Sequence, residues 1–279
     1  MSILKKFLDL NNFFDKDNFY ELICRNKKIG FVHKFIAETL IESKIEADIK
    51  YQKFIVKGTK LNKEFAKITD ILLKKKYIEN ITEENFPCTD FLGEKEYFNV
   101  NRATVEYLGI RGYGVHLTAF TKIRNKIYLW TPLRSKYKKV EPNKYDNTVA
   151  GGIASGETVK DALFREAKEE ANVSKNLIKK ANSVGTVSYN WRNKKYTLRR
   201  DTLFLYDLEV DRTFKPLCLD GELEKFKLIP WTDALKKIKH TNSFKKNCAL
   251  VVASFLIRKG LLTSENEINY EKICYMINS

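Results

Sequence analysis

The chain has 279 residues, of which 43% are hydrophobic, so it is long enough to form one large domain or two modest ones. Its formal net charge of +16 favours an anionic partner, which includes phosphorylated small molecules, nucleic acid and acidic membrane surfaces. The five cysteines contain no C-x-x-C pair and the three histidines no H-E-x-x-H motif, which argues against a disulfide framework and a zinc site.

Helical and extended patterns alternate along the first 105 residues. The apolar spacing of Leu4, Phe7 and Leu8 predicts a first helix, and an apolar stripe within 61–77 predicts another. The stretch 51–56 has the pattern of a β-strand. We therefore predict a helix-rich α+β domain that ends at residue 105.

Glycines become frequent beyond residue 105, and strand patterns dominate. The apolar stretches 114–123 and 126–132 flank Arg124-Asn125 and predict a β-hairpin. Strands are also predicted at 148–153, 183–189, 202–209 and 224–229, and helices at 158–171, 231–238 and 247–259. Strands mixed with helices in this way predict a second α/β domain over 106–279, with a sheet between helices.

The sequence does not predict export or membrane insertion. Its N-terminus lacks the apolar core and the cleavage site of a signal peptide. The longest apolar run, 248–257, is too short to span a bilayer. Together with the unpatterned cysteines, these features predict a soluble, cytoplasmic protein.

The stretch 151–173, GGIASGETVKDALFREAKEEANV, places acidic side chains on a predicted helix. Glu166, Glu169 and Glu170 have i, i+3 and i+4 spacing, so they share one helical face. Neighbouring like charges destabilise a helix by about 0.2–0.5 kcal/mol per pair unless a cation binds them. Because hard carboxylate oxygens suit Mg²⁺ or Mn²⁺, this face predicts a divalent-metal site that follows a flexible glycine loop.

The same stretch resembles the signature of the Nudix hydrolases, G-x5-E-x7-R-E-U-x-E-E-x-G-U, in which U is aliphatic. The residues in register are Gly151, Glu157, Arg165, Glu166, Ala167, Glu169, Glu170 and Val173. Asn172 departs from the pattern, which has glycine there, but asparagine tolerates a left-handed helix cap, so we expect the helix end to survive. The resemblance implies an α/β/α sandwich with a mixed sheet and hydrolysis of a pyrophosphate linkage.

The resemblance also implies roles for individual residues. The implied metal ligands are the carbonyl of Gly151 and the carboxylates of Glu166, Glu169 and Glu170. Arg165 would hold these carboxylates in place and pair with Glu157, which completes the implied catalytic set. The general base stays open between these glutamates and a carboxylate from another loop, with Glu222 and Glu224 as candidates.

Substrate contacts are predicted from charge and aromaticity. Arg134, Lys136 and Lys138 precede the signature and are candidates to hold phosphate oxygens, with a solvated surface as the alternative. Glu222 is a further candidate for contact with the substrate, and Trp191 is a candidate to stack on its ring. Other candidates with rings are Tyr113, His116, Trp130 and Tyr189, among which His116 and Trp130 are favoured as core residues.

A narrower resemblance extends over most of the chain. The stretches RGYGVHLTAF, DNTVAGGIASGE and DGELEKFKLIPW are similar to a Nudix subgroup that is associated with thiamin pyrophosphokinase and carries an N-terminal domain. This resemblance implies a phosphorylated small-molecule substrate, a damaged thiamin diphosphate analogue, which is cut to its monophosphate with Mg²⁺ or Mn²⁺ as the cofactor.

Three alternatives are compatible with the same signature. A nucleoside-diphosphate-derivative or oxidised-nucleotide hydrolase would differ only in the pocket for the base. A non-catalytic module that binds a ligand or RNA is less favoured, because decayed modules usually lose the signature carboxylates, and all are present here. Isoprenoid isomerisation is disfavoured because no cysteine lies on a predicted strand before the signature.

Overall fold

A computed structural model describes residues 2–14, 16–138, 140–219 and 221–278. The helices are α1 (Ile3–Leu10), α2 (Lys34–Glu42), α3 (Leu61–Lys74), α4 (Val105–Leu108), α5 (Val159–Ala171), α6 (Lys175–Ile178), α7 (Trp231–His240), α8 (Lys246–Arg258) and α9 (Tyr270–Asn278). The strands are β1 (Phe19–Cys24), β2 (Lys27–His33), β3 (Ala47–Lys50), β4 (Lys53–Val56), β5 (Asn85–Cys88), β6 (Phe98–Asn101), β7 (Arg111–Ile123), β8 (Lys126–Arg134), β9 (Val149–Gly152), β10 (Asn182–Trp191), β11 (Arg199–Glu209) and β12 (Leu223–Pro230).

The N-terminal region contains a sheet with the strand order β2-β1-β4-β3. Its core also contains apolar side chains from α2 and α3, including Ile36, Leu40, Phe65, Ile68 and Leu72. Strands β5 and β6 pair separately as a short antiparallel hairpin. The predicted helix-rich α+β region is therefore confirmed, although the hairpin at 85–101 was not predicted.

The C-terminal region is built on a sheet with the order β10-β11-β7-β8-β12, and β9 pairs alongside β7. Strands β11 and β7 are parallel while β7 and β8 are antiparallel, so the sheet is mixed. Helix α5 packs on one face with Val115 and Leu117, and α8 packs on the other face with Phe120 and Leu205. The predicted α/β/α arrangement is confirmed.

The turn between β7 and β8 follows directly from its sequence. Arg124 and Asn125 have φ values of 48° and 60°, so both occupy the left-handed region that a tight two-residue hairpin requires. The predicted hairpin is thus confirmed, and it continues further than expected at the start of β7.

No transmembrane helix is found within the described ranges.

Helix α1 precedes the N-terminal sheet in the chain but packs against α8, α9 and β10. The buried apolar side chains are Ile3, Phe7 and Leu10, whereas Leu8 is 39% exposed, so the predicted helix is correct but its buried stripe is different. These three residues belong to the same apolar cluster as Leu250 on α8. A domain boundary at residue 105 stays a prediction. Such a boundary would place α1 in the N-terminal domain, although α1 packs against C-terminal elements.

Candidate active site

The helix that carries the glutamates is fixed at both ends by local chemistry. At its start, the Thr158 hydroxyl accepts a hydrogen bond from the Asp161 amide, and the Asp161 carboxylate accepts one from the Thr158 amide, which forms a capping box. At its end, Asn172 has a φ of 50° and lies in the left-handed region. The prediction that asparagine would preserve this helix end is confirmed.

The predicted glutamate cluster divides into an inner pair and an outer member. Glu166 and Glu170 are buried, while the side chain of Glu169 is 53% exposed. The Ala150 amide donates to Glu170 Oε2 at 2.8 Å, and a Cβ placed on Gly151 would lie 1.8 Å from Cδ of Glu166. Glycine at 151 is therefore required, because the Glu166 carboxylate occupies the space of a side chain there.

Arg165 connects the helix to the glycine loop. Its Nε donates to Glu157 Oε1 at 2.7 Å and its Nη2 donates to the Gly152 carbonyl at 3.0 Å. Its Nη1 donates to Glu166 at 2.7 Å and lies 3.5 Å from Glu169. The predicted Glu157–Arg165 ion pair is confirmed, and one guanidinium orients carboxylates on both the loop and the helix.

The inner pair lies in an environment that opposes negative charge. Burial, and then the charges of Asp146 and Glu166, raise the pKa of Glu170 to about 8. Burial also raises the pKa of Glu166, although Arg165 opposes this shift. Hydrogen bonds from Arg165 lower the pKa of Glu157 instead. A bound cation would relieve the unfavourable charge of Glu166 and Glu170, whereas Glu157 is already paired.

The inner pair fits a divalent cation by the chemistry of its donors. Glu166 and Glu170 offer carboxylate oxygens, which hard cations such as Mg²⁺ prefer. Within the described residues, no three histidine, cysteine, aspartate or glutamate side chains converge to enclose a metal ion. These two carboxylates and a backbone carbonyl such as that of Gly151 would hold the cation, while Glu169 lies 3.5 Å from Arg165 and its role as a further ligand stays a prediction.

A cavity of about 290 Å³ lies next to the glycine strand β9. It is lined by apolar, cationic and polar side chains, which include Phe86, Arg102, Tyr113, His116, Arg199, Asp201, Lys245 and Asn247, and by the backbone of Ala150, Gly151 and Gly152. The Tyr113 hydroxyl is buried and has no hydrogen-bond partner among the described residues. The cavity thus brings the Lys245 ammonium and the Arg199–Asp201 ion pair, whose Nε–Oδ2 distance is 2.6 Å, close to the glycines beside the glutamates.

Lys245, a cation in the wall of the cavity, is paired with the buried carboxylate of Asp146. Lys245 Nζ lies 3.5 Å from Asp146, and Arg134 donates to the same carboxylate at 2.8 Å. Although burial opposes ionisation, the charges of Lys245 and Arg134 lower the pKa of Asp146 to about 2. Although burial opposes its charge too, Asp146 raises the pKa of Lys245. Lys245 is therefore a fixed positive charge that the sequence analysis did not single out.

The five residues predicted to contact substrate do not line this cavity. Arg134 is buried and bound to Asp146, while Lys138 forms an ion pair with Glu222 at 2.5 Å. Lys136 lies over the Tyr137 ring, and Trp191 packs against the α8 core with Lys246 over its ring. The structure therefore does not bring these five side chains to the cavity, and their contact with substrate stays a prediction.

The remaining ring-bearing candidates separate by position. Trp130 is partly buried and packs edge-on against Phe214 with ring centroids 6.1 Å apart, beside the apolar cluster that includes α5. Tyr189 is buried and its hydroxyl donates to Asp201. Tyr113 and His116 line the cavity. His116 is buried, as a core residue would be, but its side chain also borders the cavity. Burial, and then the charge of Lys245, lower the pKa of His116 to about 4, so its ring is neutral near pH 7.

Comparisons with known proteins match the signature region and most of the chain. The family model described as NUDIX domain matches residues 120–248. Nudix hydrolase 20, chloroplastic, from Arabidopsis thaliana is 32% identical over 283 residues, which cover 92% of this chain and 75% of that protein. The uncharacterized protein YJR142W of Saccharomyces cerevisiae is 30% identical, with 94% and 84% covered.

The chain belongs to the Nudix hydrolase family. As a member it is a pyrophosphohydrolase, and Nudix hydrolases generally use divalent metal cations. Among solved structures, the crystal structure of DR0079 from Deinococcus radiodurans aligns with a TM-score of 0.46 and 23% identity, over 61% of this chain and 98% of that one. The Nudix signature thus coincides with the glycine loop and α5, where Glu166 and Glu170 face β9.

Proposed function

We propose that this Nudix hydrolase cuts the diphosphate of a thiamin diphosphate analogue to the monophosphate, with Mg²⁺ as the cation. The observation that carries the proposal is the buried pair Glu166–Glu170, which faces the glycine strand next to a cavity with cationic walls. Nearby cations do not fully neutralise these two carboxylates, and a diphosphate is strongly anionic. A divalent cation would therefore stabilise both the glutamates and the diphosphate.

In the proposed reaction, Glu166, Glu170 and the Gly151 carbonyl hold the cation. When bound, the cation neutralises phosphate oxygens and lowers the pKa of the attacking water. Arg165 keeps Glu166 oriented through its 2.7 Å hydrogen bond. Glu169 is the solvent-exposed member of the cluster, so it can accept a proton from water at the edge of the site.

The cavity supplies the contacts for the rest of the substrate. Lys245 and Arg199 lie at its wall, and although they pair with Asp146 and Asp201, they are the candidates to hold the second phosphate. The Tyr113 ring contributes to the cavity wall together with Phe86 and His116. A cavity of about 290 Å³ is near the lower size of small-molecule sites, about 300 Å³.

The test compares substrates that share a diphosphate but differ in the attached ring. Thiamin diphosphate, a ring-oxidised analogue of it, ADP-ribose and an oxidised nucleoside diphosphate are each incubated with enzyme and Mg²⁺, and the released phosphate compounds are separated by chromatography. We expect the highest kcat/KM for the thiamin analogue and none for the Glu170→Gln variant. Preference for the nucleotide would support the alternative, a nucleoside-diphosphate-derivative hydrolase.

A further inference from the structure

The N-terminal hairpin at 85–101 lies directly against the glycine loop of the Nudix signature. The Ser155 amide donates to the Asn85 carbonyl at 2.8 Å. The Glu96 carboxylate accepts the Ser155 hydroxyl at 2.5 Å and the Gly156 amide at 3.1 Å. Three hydrogen bonds therefore join this hairpin to two consecutive loop residues.

The hairpin also fills space beside the strand that enters this loop. A Cβ placed on Gly152 would lie 2.8 Å from Cζ of Phe86, a buried residue of β5. The Phe86 ring thus occupies the place of a side chain at Gly152, and the same ring lines the cavity. Glycine at 152 permits the hairpin to approach the backbone of the signature itself.

The tip of the loop has little packing of its own. Gly156 has a φ of +84°, and a Cβ placed there would meet nothing within 4 Å. Polar contacts rather than packing must therefore fix this tip, and the acceptor of the Gly156 amide is Glu96. Immediately after the tip, Glu157 accepts the Ala154 amide at 2.9 Å, which closes the turn.

From this turn, a short series of contacts reaches the proposed metal ligands. Glu157 binds Arg165 at 2.7 Å, and Arg165 binds Glu166 at 2.7 Å. A shift of the tip would move Glu157, and Arg165 would then hold Glu166 in a different position. Residues that orient metal ligands in this way typically change metal affinity by about 10- to 100-fold when they are removed.

We propose that the hairpin 85–101 is a positioning element of the active site, and that Glu96 is its principal positioning residue. Through Ser155 and Gly156, Glu96 fixes the turn whose Glu157 orients Arg165 and Glu166. The inference rests on the proposed function, because it assigns the metal to Glu166 and Glu170. It gives the N-terminal region a part in catalysis, since its hairpin sets the affinity for the divalent cation.

The test measures the affinity for Mn²⁺ directly, by calorimetric titration of the metal-free full chain. Replacement of Glu96 by alanine is expected to weaken Mn²⁺ binding by about tenfold. Glu96→Gln should recover most of the affinity, because its amide oxygen can still accept from the Gly156 amide while its amide nitrogen donates to the Ser155 hydroxyl. Glu94→Ala is the matched control, since this exposed carboxylate lies in the same connection between β5 and β6.

Several outcomes separate the alternatives. Wild-type affinity for Mn²⁺ in Glu96→Ala would overturn the inference, because Glu96 would then not position the metal ligands. An equal loss of affinity in Glu94→Ala would overturn it too, because the loss would then come from the net charge of the hairpin. If Glu96→Ala fails to fold, Ser155→Ala removes one of the three hydrogen bonds, and a measurable loss of Mn²⁺ affinity with an unchanged Tm is expected. Wild-type affinity in that variant would overturn the inference as well.

A second readout distinguishes this inference from the proposed function. At saturating Mg²⁺ we expect Glu96→Ala to recover most of kcat with an unchanged KM for the diphosphate, because the cavity walls at Lys245 and Arg199 are intact. If wild-type protein neither binds Mn²⁺ nor cleaves any diphosphate, the proposed function fails, and the inference fails with it. If the wild type is active and Glu96→Ala matches it at every Mg²⁺ concentration, only the inference fails.

Discussion

Two charged segments of this molecule looked similarly functional in the sequence, and the structure separates them. The acidic face of α5 places Glu166 and Glu170 in a buried position where each carboxylate has too little compensating charge. The basic segment 134–138 instead has Arg134 bound to Asp146 and Lys138 bound to Glu222. Burial raises the pKa of both glutamates even though Arg165 contacts Glu166, so this pair is suited to a cation, whereas the ion pairs of Arg134 and Lys138 stabilise the fold.

The two segments also differ in how their neighbours are supplied. On α5, the cluster is encoded within a single helix and its preceding loop, so the residues meet by local geometry. In the basic segment, Asp146 lies 12 positions after Arg134, in the connection between β8 and β9, and Glu222 comes from a distant part of the chain. The first arrangement can be predicted from residue spacing alone, while the second depends on tertiary packing. Experiments that remove single charges from each segment can break or sharpen this contrast.

The largest effect is expected on α5. Glu170→Gln and Glu169→Gln should each lower kcat by a factor on the order of 10³ or more, because the cation loses a ligand or the water loses its proton acceptor. Steady-state kinetics with Mg²⁺ measures the loss, and circular dichroism should show a native fold. Full activity in either variant would remove that glutamate from the proposed site.

The next largest effect concerns the basic segment, as a loss of stability. Asp146→Asn leaves Arg134 and Lys245 buried without their carboxylate, which should lower the free energy of unfolding by about 3–5 kcal/mol. Urea unfolding measures this loss. The exposed pair Lys122–Glu209 provides the control, because Glu209→Gln should cost less than about 1 kcal/mol. Equal losses in the two variants would contradict the assignment of Asp146 to the core.

Glu170 also predicts a pH dependence in metal-free protein. Its pKa is raised from 4.5 to about 8 in the folded state, so the folded protein binds this proton more tightly than the unfolded chain does. This contribution to stability is present below about pH 4.5 and is lost as the pH rises through about 8. Urea unfolding in a chelator, between pH 5 and 8, should show the decline, and Glu170→Gln should flatten it. A slope that is unchanged in the variant would assign the decline to other groups.

The cation should reverse that decline. Because Mg²⁺ binding requires ionised carboxylates, it competes with the proton on Glu170 and releases it. We therefore expect Mg²⁺ to raise Tm more at pH 8 than at pH 6, as measured by differential scanning calorimetry. Equal increments at both pH values would contradict binding at Glu170.

The smallest effects distinguish the two sets of cations. Lys245→Met should raise KM for the diphosphate substrate by about tenfold, the loss expected for one charge-assisted contact of about 1.5 kcal/mol. Lys136→Ala should leave KM unchanged within about twofold, because its ammonium lies over the Tyr137 ring outside the cavity. A large increase in KM for Lys136→Ala would return the basic segment to the substrate site.

The sequence was sufficient where the determinants are local. Helix α5, its Asn172 cap and the Glu157–Arg165 pair lie within about 20 positions, so spacing and capping rules predicted them. The Arg124-Asn125 turn was predicted for the same reason. The equivalent turn at Arg25-Asn26, which joins β1 and β2, has the same residues and left-handed φ values, so the same signal could have found that hairpin.

The cavity could not be predicted in this way, because its walls come from distant parts of the chain. Phe86 lies on a four-residue strand that contains a proline, so its pattern does not indicate a strand. Lys245 belongs to a short basic run that resembles an ordinary surface segment, and its function depends on Asp146, about 100 positions earlier. Charge alone therefore does not show which cations line the cavity, since that depends on how distant segments pack together.

The docking of α1 on the C-terminal helices has a consequence for how the molecule is assembled. Lys6 Nζ donates to the Thr241 carbonyl at 2.6 Å across 235 positions of sequence, and Phe7 lies in a cluster with residues of α8 and α9. Such distant pairings cost loop-closure entropy and slow folding. During synthesis, α1 leaves the ribosome long before α8 and α9 are made, so its apolar face with Ile3 and Phe7 stays exposed to solvent until then. Completion of the catalytic half is therefore a late event, and chaperone contact with this first segment is expected until then.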